Sequence, residues 1–163
     1  MAKLLVVYPD RCAGCRVCEL ACVAWHNKYF QPSKARIYIA KYEKEGIDIP
    51  MVCQQCEDPP CRQACPTGAI KQDTDLRRIL VDYETCIGCR SCMQACPFGA
   101  VTFDPDIGKV LICDLCDGNP SCVEICPTEA VKYVDERMIS SEQRRESALR
   151  LATLIQHTVS KGE

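Results

Sequence analysis

The chain has 163 residues, with 20 Lys+Arg against 22 Asp+Glu and a net charge of -2. That length suits one domain or two small ones, and so balanced a charge offers no polybasic footprint for nucleic acid or an anionic membrane. Sixteen cysteines set the composition apart, and aromatics at 6% leave a thin conventional core that a group bound to sulfur would complete.

In chain order, KLLVVY (3–8) is a short apolar strand, not a secretory leader: it is brief and lacks a small-residue cleavage site. No stretch of 18 apolar residues and no twin-Arg signal occurs, so no transmembrane segment is expected and the expected location is the cytoplasm. Export alongside a signal-bearing partner is the alternative. The first cysteine group follows at once: Cys12, Cys15, Cys18 and Cys22, spaced C-x2-C-x2-C-x3-C. Residues 23–52 depart from the later pattern, with IYIA (37–40) and IDIPMV (47–52) as strands of an insertion available for docking. Trp25 reads as a packed aromatic and His26 as a surface or supporting residue rather than a ligand.

The second group is Cys53, Cys56, Cys61 and Cys65, spaced C-x2-C-x4-C-x3-C and followed by Pro66. A strand at Ala69-Ile70, the polar turn KQDTDLRR and a strand at 79–81 form a hairpin to the third group. That group is Cys86, Cys89, Cys92 and Cys96, spaced like the first and followed by Pro97. A second hairpin, Ala100-Val101 through DPDIG to 110–112, leads to Cys113, Cys116, Cys122 and Cys126, spaced C-x2-C-x5-C-x3-C and followed by Pro127. CPTGAIK, CPFGAVT and CPTEAVK share one phrase, which marks an internal repeat. Tyr8, Tyr83 and Tyr133 sit at equivalent strand ends, where packing is the expectation, and Arg16, Arg62 and Arg90 read as solvated. From Ser140 the chain becomes an amphipathic helix, with Ala148, Leu151, Ala152, Ile155 and Val159 on one face. It would fold back on the core or serve docking or self-association.

Thiols are kept reduced in the cytoplasm, so four complete quartets read as metal ligands before disulfides. Structural zinc usually joins two C-x2-C knuckles across roughly 15–20 residues, which none of these groups does. The third group matches the bacterial ferredoxin pattern C-x2-C-x2-C-x3-C-P, whose fourth Cys serves the other cluster of a pair. Lys3–Tyr8 lacks a preceding strand and Ala130–Tyr133 a following one. Pairing them packs the first group against the fourth and leaves the second with the third. The fold expected is α+β: two nested pseudo-symmetric bacterial-type 2[4Fe–4S] ferredoxin modules with short β-hairpins and a C-terminal helix. Residues 1–22 and 108–139 form the outer module, 23–52 the insertion, 53–107 the inner module and 140–163 the tail.

Over roughly residues 3–135 the four-quartet order resembles the iron–sulfur subunits of the dimethyl sulfoxide reductase, formate dehydrogenase and formate hydrogenlyase family. The resemblance implies four [4Fe–4S] clusters. One takes Cys12, Cys15, Cys18 and Cys126, and its neighbour Cys22, Cys113, Cys116 and Cys122. The inner pair takes Cys53, Cys56, Cys61 and Cys96, and Cys65, Cys86, Cys89 and Cys92. Val23 stands where Pro follows the other groups.

The short chain, its opening MAKLLVVYPDRCAGCRVCELAC and its tail resemble the small subunit of bacterial tungsten aldehyde oxidoreductases. Relay subunits of formate, carbon monoxide dehydrogenase, hydrogenase or benzoyl-CoA reductase systems are alternatives, as is a free-standing polyferredoxin. With no nucleophile–base pair, phosphate loop or GxGxxG, the chain is expected to be a non-catalytic, low-potential electron relay. Its partners would be a large tungsten or molybdenum catalytic subunit and a flavin- or ferredoxin-linked protein. Self-association into an oligomer or filament is a further expectation.

Overall fold

The computed structural model describes residues 3–28 and 30–138. The helix expected over 140–163 lies outside them. The chain divides into two compact units, Leu5–Tyr133 and a smaller one made of Met1–Leu4 and Val134–Glu163. In the described part of the smaller unit, Val134 and Asp135 end a strand and a helical turn follows at 136–138. There the Asp135 carboxylate accepts the Arg137 backbone N–H at 3.0 Å.

The described residues are built on two-stranded ribbons, not on a broad sheet. β1 (Lys3–Val7) neighbours β8 (Val131–Asp135), β2 (Ile37–Tyr42) neighbours β3 (Ile47–Val52), β4 (Ile70–Asp73) neighbours β5 (Arg78–Val81), and β6 (Thr102–Asp104) neighbours β7 (Lys109–Leu111). The first and last ribbon strands therefore meet, as the unpaired ends of the repeat require. Beside them the Tyr8 N–H donates to the Ala130 carbonyl at 2.8 Å. The other three ribbons are antiparallel hairpins, with Ile70 opposite Val81 and Thr102 opposite Leu111. Two boundaries differ from the sequence expectation. β4 runs on to Asp73, which shortens the polar turn, and β6 starts at Thr102, because Ala100 and Val101 are buried in the approach to the strand.

Helices α2 (Pro60–Gln63), α3 (Ser91–Ala95) and α4 (Ser121–Glu124) are single turns. Each stops before Cys65-Pro66, Cys96-Pro97 or Cys126-Pro127, since a proline pushes the preceding residue out of the α region. Cys96 is accordingly extended, at φ -78 and ψ 112. α1 (Val17–Asn27) has Val23 in place of that proline and continues past Cys22 for more than a turn. Trp25, on this extension, is 50% exposed rather than packed.

The core threads between the ribbons: Val23, Ile37, Val52, Ile79, Ile112, Leu115 and Val131 are buried with nine of the cysteines. The hairpin of residues 37–52 is tied to its own chain. Buried Lys34 pairs with Asp104 at 3.2 Å and Asp106 at 2.6 Å, and the Tyr38 hydroxyl donates to the Gly99 carbonyl at 3.3 Å. Its tip leaves Tyr42 and Ile47 exposed.

Candidate metal centres

Each cysteine group begins with the same backbone device. The residue just before the second Cys is left-handed in all four groups: Gly14 at φ +61, Gln55 at +49, Gly88 at +68 and Leu115 at +61. That conformation turns an amide back toward the first sulfur of the group. Burial pushes the Cys12 thiol up, and the Gly14 amide, donating to it, pulls the other way. Gln55 does the same for Cys53, and Leu115 for Cys113. Glycine is demanded by neighbouring backbone at Gly88, whereas at Gly14 the neighbour is a side chain that can swing aside. A Cβ on Gly14 would collide with the Asp48 carboxylate, and one on Gly88 with the Gly108 carbonyl oxygen. Gln55 and Leu115 hold a conformation that costs an L-residue roughly 1–2 kcal/mol.

The fourth cysteines are dressed differently. Cys65 lies below an ordinary thiol despite its burial, because the Thr67 hydroxyl and the amides of Ile70, Thr67 and Ala69 donate to it. Cys126 is lowered in the same way by Thr128, Ala130 and Val131, with the Ala130 amide 3.3 Å from the sulfur. Cys22 instead receives the Arg36 amide at 3.3 Å, from a segment outside the repeat.

The fold gathers thiols from groups far apart in sequence. One open cavity of about 310 Å³ is lined by Cys12, Cys15, Cys18 and Cys126. Another, of about 290 Å³, is lined by Cys65, Cys86, Cys89 and Cys92. Between these the remaining thiols interact closely enough to raise one another. Cys122 feels Cys22 and Cys116, while Cys53 feels Cys61, Cys56 and Cys96. Burial dominates in this middle region: it pushes Cys53 up to about 12 and drives Cys113 and Cys122 well above an ordinary thiol. Cys18 is also pushed to about 12 and Cys92 to about 11 by burial. Thiolates so unfavourable in the bare protein need a cationic partner to exist as anions. By contrast Cys15 and Cys89 are exposed.

Residues without a sequence signature support the thiols. Buried Gln55 donates to the Cys113 carbonyl at 2.6 Å and accepts the Ile79 amide at 2.6 Å, tying the second group to the fourth. Fully buried Glu19 accepts the Ile39 amide at 2.8 Å and Arg16 at 2.9 Å, so Arg16 is not simply solvated. Arg90 caps the Phe103 ring at 3.8 Å. His26 supports the site and does not sit idle at the surface. Its Nδ1 lies 2.8 Å from the Cys22 carbonyl oxygen and its Nε2 lies 3.0 Å from Asp114. Burial opposes charging of this imidazole, but the Asp114 contact prevails and lifts it to about 9. His157 lies outside the described residues.

Ribbons joined by cysteine turns, with thiols converging from paired groups, define an iron–sulfur protein of ferredoxin type. The chain matches the 4Fe-4S dicluster domain family over residues 44–136 and the 4Fe-4S binding domain over residues 9–25, and it belongs to that family. It is 43% identical over 116 residues to the "aliphatic sulfonate oxidoreductase, polyferredoxin-like subunit" of Pyrococcus furiosus, covering 71% of this chain and 66% of that one. It is 36% identical over 103 residues to the "electron transport protein HydN" of Escherichia coli K12, covering 56% of this chain and 54% of that one. The NADH-dependent phenylglyoxylate dehydrogenase subunit beta of Aromatoleum evansii is 35% identical over 138 residues, 82% of this chain but 30% of its own length. The BamBC active-site complex of benzoyl coenzyme A reductase with dienoyl-CoA shares the fold, with TM-score 0.50 and 24% identity over 82% of this chain and 75% of that one. Among the described residues no helix is long and apolar enough to cross a membrane.

Proposed function

We propose that the chain is the non-catalytic electron-relay subunit of an oxidoreductase complex, holding four [4Fe–4S] clusters in a row. The assignment of ligands is Cys12, Cys15, Cys18 and Cys126; Cys22, Cys113, Cys116 and Cys122; Cys53, Cys56, Cys61 and Cys96; and Cys65, Cys86, Cys89 and Cys92. The first and last sets are supported by the two cavities, each lined by those four thiols. The middle sets are supported by the thiols that raise one another there. The donor set fits: sixteen sulfurs, amides turned toward them, and a core too thin to close without added groups. On this assignment the outer and inner cysteine groups form two nested modules, with residues 23–52 inserted between them.

The order of the row follows from thiols that interact across sets. Cys18 acts on Cys122, Cys53 on Cys113, and Cys61 on Cys92. That sequence runs from the Cys15 end, through two sets with no exposed thiol, to the Cys89 end, and only the end sets have an exposed thiol. This single observation carries the proposal: surface, interior, interior, surface is what a conductor between two partners requires. Bound clusters supply one-electron storage at potentials set by charge, hydrogen bonding and exposure. The protein's own part is to hold the thiols, keep water from the middle sets and present the two ends.

The partner at one end is a larger catalytic subunit, and a tungsten or molybdenum aldehyde oxidoreductase is the reading we favour. The other end serves a flavin- or ferredoxin-linked protein. The chain acts in the cytoplasm, and any filament would form by joining ends. Anaerobic analysis tests the relay: about 16 iron and as many sulfide per chain are expected, four for each of four clusters. Zinc, or iron for only two clusters, would overturn it. Native purification should bring down a large metal-containing subunit, and a chain that always purifies alone points to a free carrier instead.

A further inference from the structure

The absence of proline after Cys22 has a chemical consequence. Because α1 runs on to Asn27, it delivers His26 beside the Cys22 carbonyl, where the other three groups turn away. The chain then returns so that the Arg36 amide reaches the Cys22 sulfur at 3.3 Å. The Arg36 guanidinium, only 12% exposed, pairs with Asp114 and donates to the Tyr83 hydroxyl at 3.2 Å. Asp114 also accepts the Cys116 amide at 3.1 Å. A largely buried cation and a half-buried carboxylate thus flank the ligands of one set, Cys22 through Arg36 and Cys116 through Asp114. Among the described residues the Arg36 Nε is buried without a hydrogen-bond partner, which is uncommon for such a donor. Arg36 lies outside the cysteine repeat, and Asp114 stands between Cys113 and Cys116 where the other groups have Ala13, Gln54 and Ile87; the fourth cysteines Cys65 and Cys126 are dressed by neutral hydroxyls and amides instead.

We propose that Arg36 and Asp114 are positioning residues that set the reduction potential of the cluster on Cys22, Cys113, Cys116 and Cys122 independently of the other three. The proposal rests on the ligand assignment above. A reduced cluster carries one more negative charge, so a fixed cation nearby favours reduction and a fixed anion opposes it. Outer residues hydrogen-bonded to metal ligands tune the metal by this route, and low local dielectric magnifies the effect. Arg36 remains cationic throughout, so its contribution does not turn on any titration. The pair balances: removing one member exposes the other. This gives the second set in the row its own control, separate from the amide turns that all groups share.

The test is a redox titration of the full-length, anaerobically prepared protein, followed by electron paramagnetic resonance. The cluster concerned is recognised as the one whose signal changes in Cys22→Ser. Arg36→Gln should lower that one potential by at least a tenfold change in the reduction equilibrium, about 59 mV for one electron. Arg36→Lys, which keeps the charge, should restore most of it. In a His26→Gln background, where the imidazole cannot respond, Asp114→Asn should move the same potential upward. Opposed signs are a result that simple loosening of the fold does not produce. If Arg36→Gln fails to assemble, the Asp114 comparison alone decides. Unchanged potentials, or shifts of the same sign from both changes, overturn the inference while leaving the relay intact. Wild-type protein that lacks the four clusters overturns the relay itself.

Discussion

The two ends of the cysteine row and its middle solve the same ligation problem in different surroundings. At the ends, Cys15 and Cys89 face solvent, and fourth cysteines such as Cys65 and Cys126 are eased by hydroxyl and amide donors. In the middle, Cys53, Cys113 and Cys122 are buried and strongly raised, and ordering depends on side chains that reach between groups. On the proposed row the ends would serve contact and the middle insulation. Loss of a ligand should be tolerated at an end and should cost stability in the middle.

Ligand removal gives the largest expected contrast. Cys113→Ser should lose a whole cluster, about four iron of about 16, and lower the anaerobic denaturant midpoint, because metal binding and folding are coupled where the core is made of ligands. Cys89→Ser should lose or weaken one end cluster and leave the rest of the iron and the far-ultraviolet circular dichroism in place. Equal damage from both would erase the distinction between end and middle.

Gln55 sharpens the same contrast without touching a ligand. Gln55→Leu strands the Cys113 carbonyl and the Ile79 amide in the interior, at about 1–3 kcal/mol for each unsatisfied group. Anaerobic denaturant melts should show that loss. Thr67→Val, at an end, removes only a weak 3.7 Å contact to Cys65 and should shift the midpoint far less.

Glycines of the cluster turns come next. Gly88→Ala must accommodate both φ +68 and the Gly108 carbonyl, and should cost more than Gly68→Ala, which meets open space at φ +66. The latter should lose only about 1–2 kcal/mol, the bare strain of the left-handed backbone. Parity between the two would mean that the approach of residue 108 to the turn has no energetic weight.

Much of this was legible in the amino-acid sequence, for definite reasons. Cysteine spacing is local and admits few chemistries, so the quartets stand out, and the strand left over at each terminus announces its partner. Gln55 and Leu115 were not legible, because a left-handed turn is read from glycine, and these two groups adopt it without one. Arg36, His26 and Asp114 were hidden by distance: Asp114 is 78 residues from Arg36 and 88 from His26. One signal was available there. Val23 in place of proline let α1 continue, and the residue one turn beyond Cys22 on that helix is His26. Buried Glu19 looked like any charge in the first turn of a helix, and only the approach of β2 gives it a role.

Counting electrons tests the relay most directly. Reductive coulometry on the anaerobic, full-length protein should register about four electrons per chain, one for each cluster, with magnetic coupling between neighbours in the row. Uptake of no electrons, or of two with no coupling between the sites, would contradict a continuous row of four.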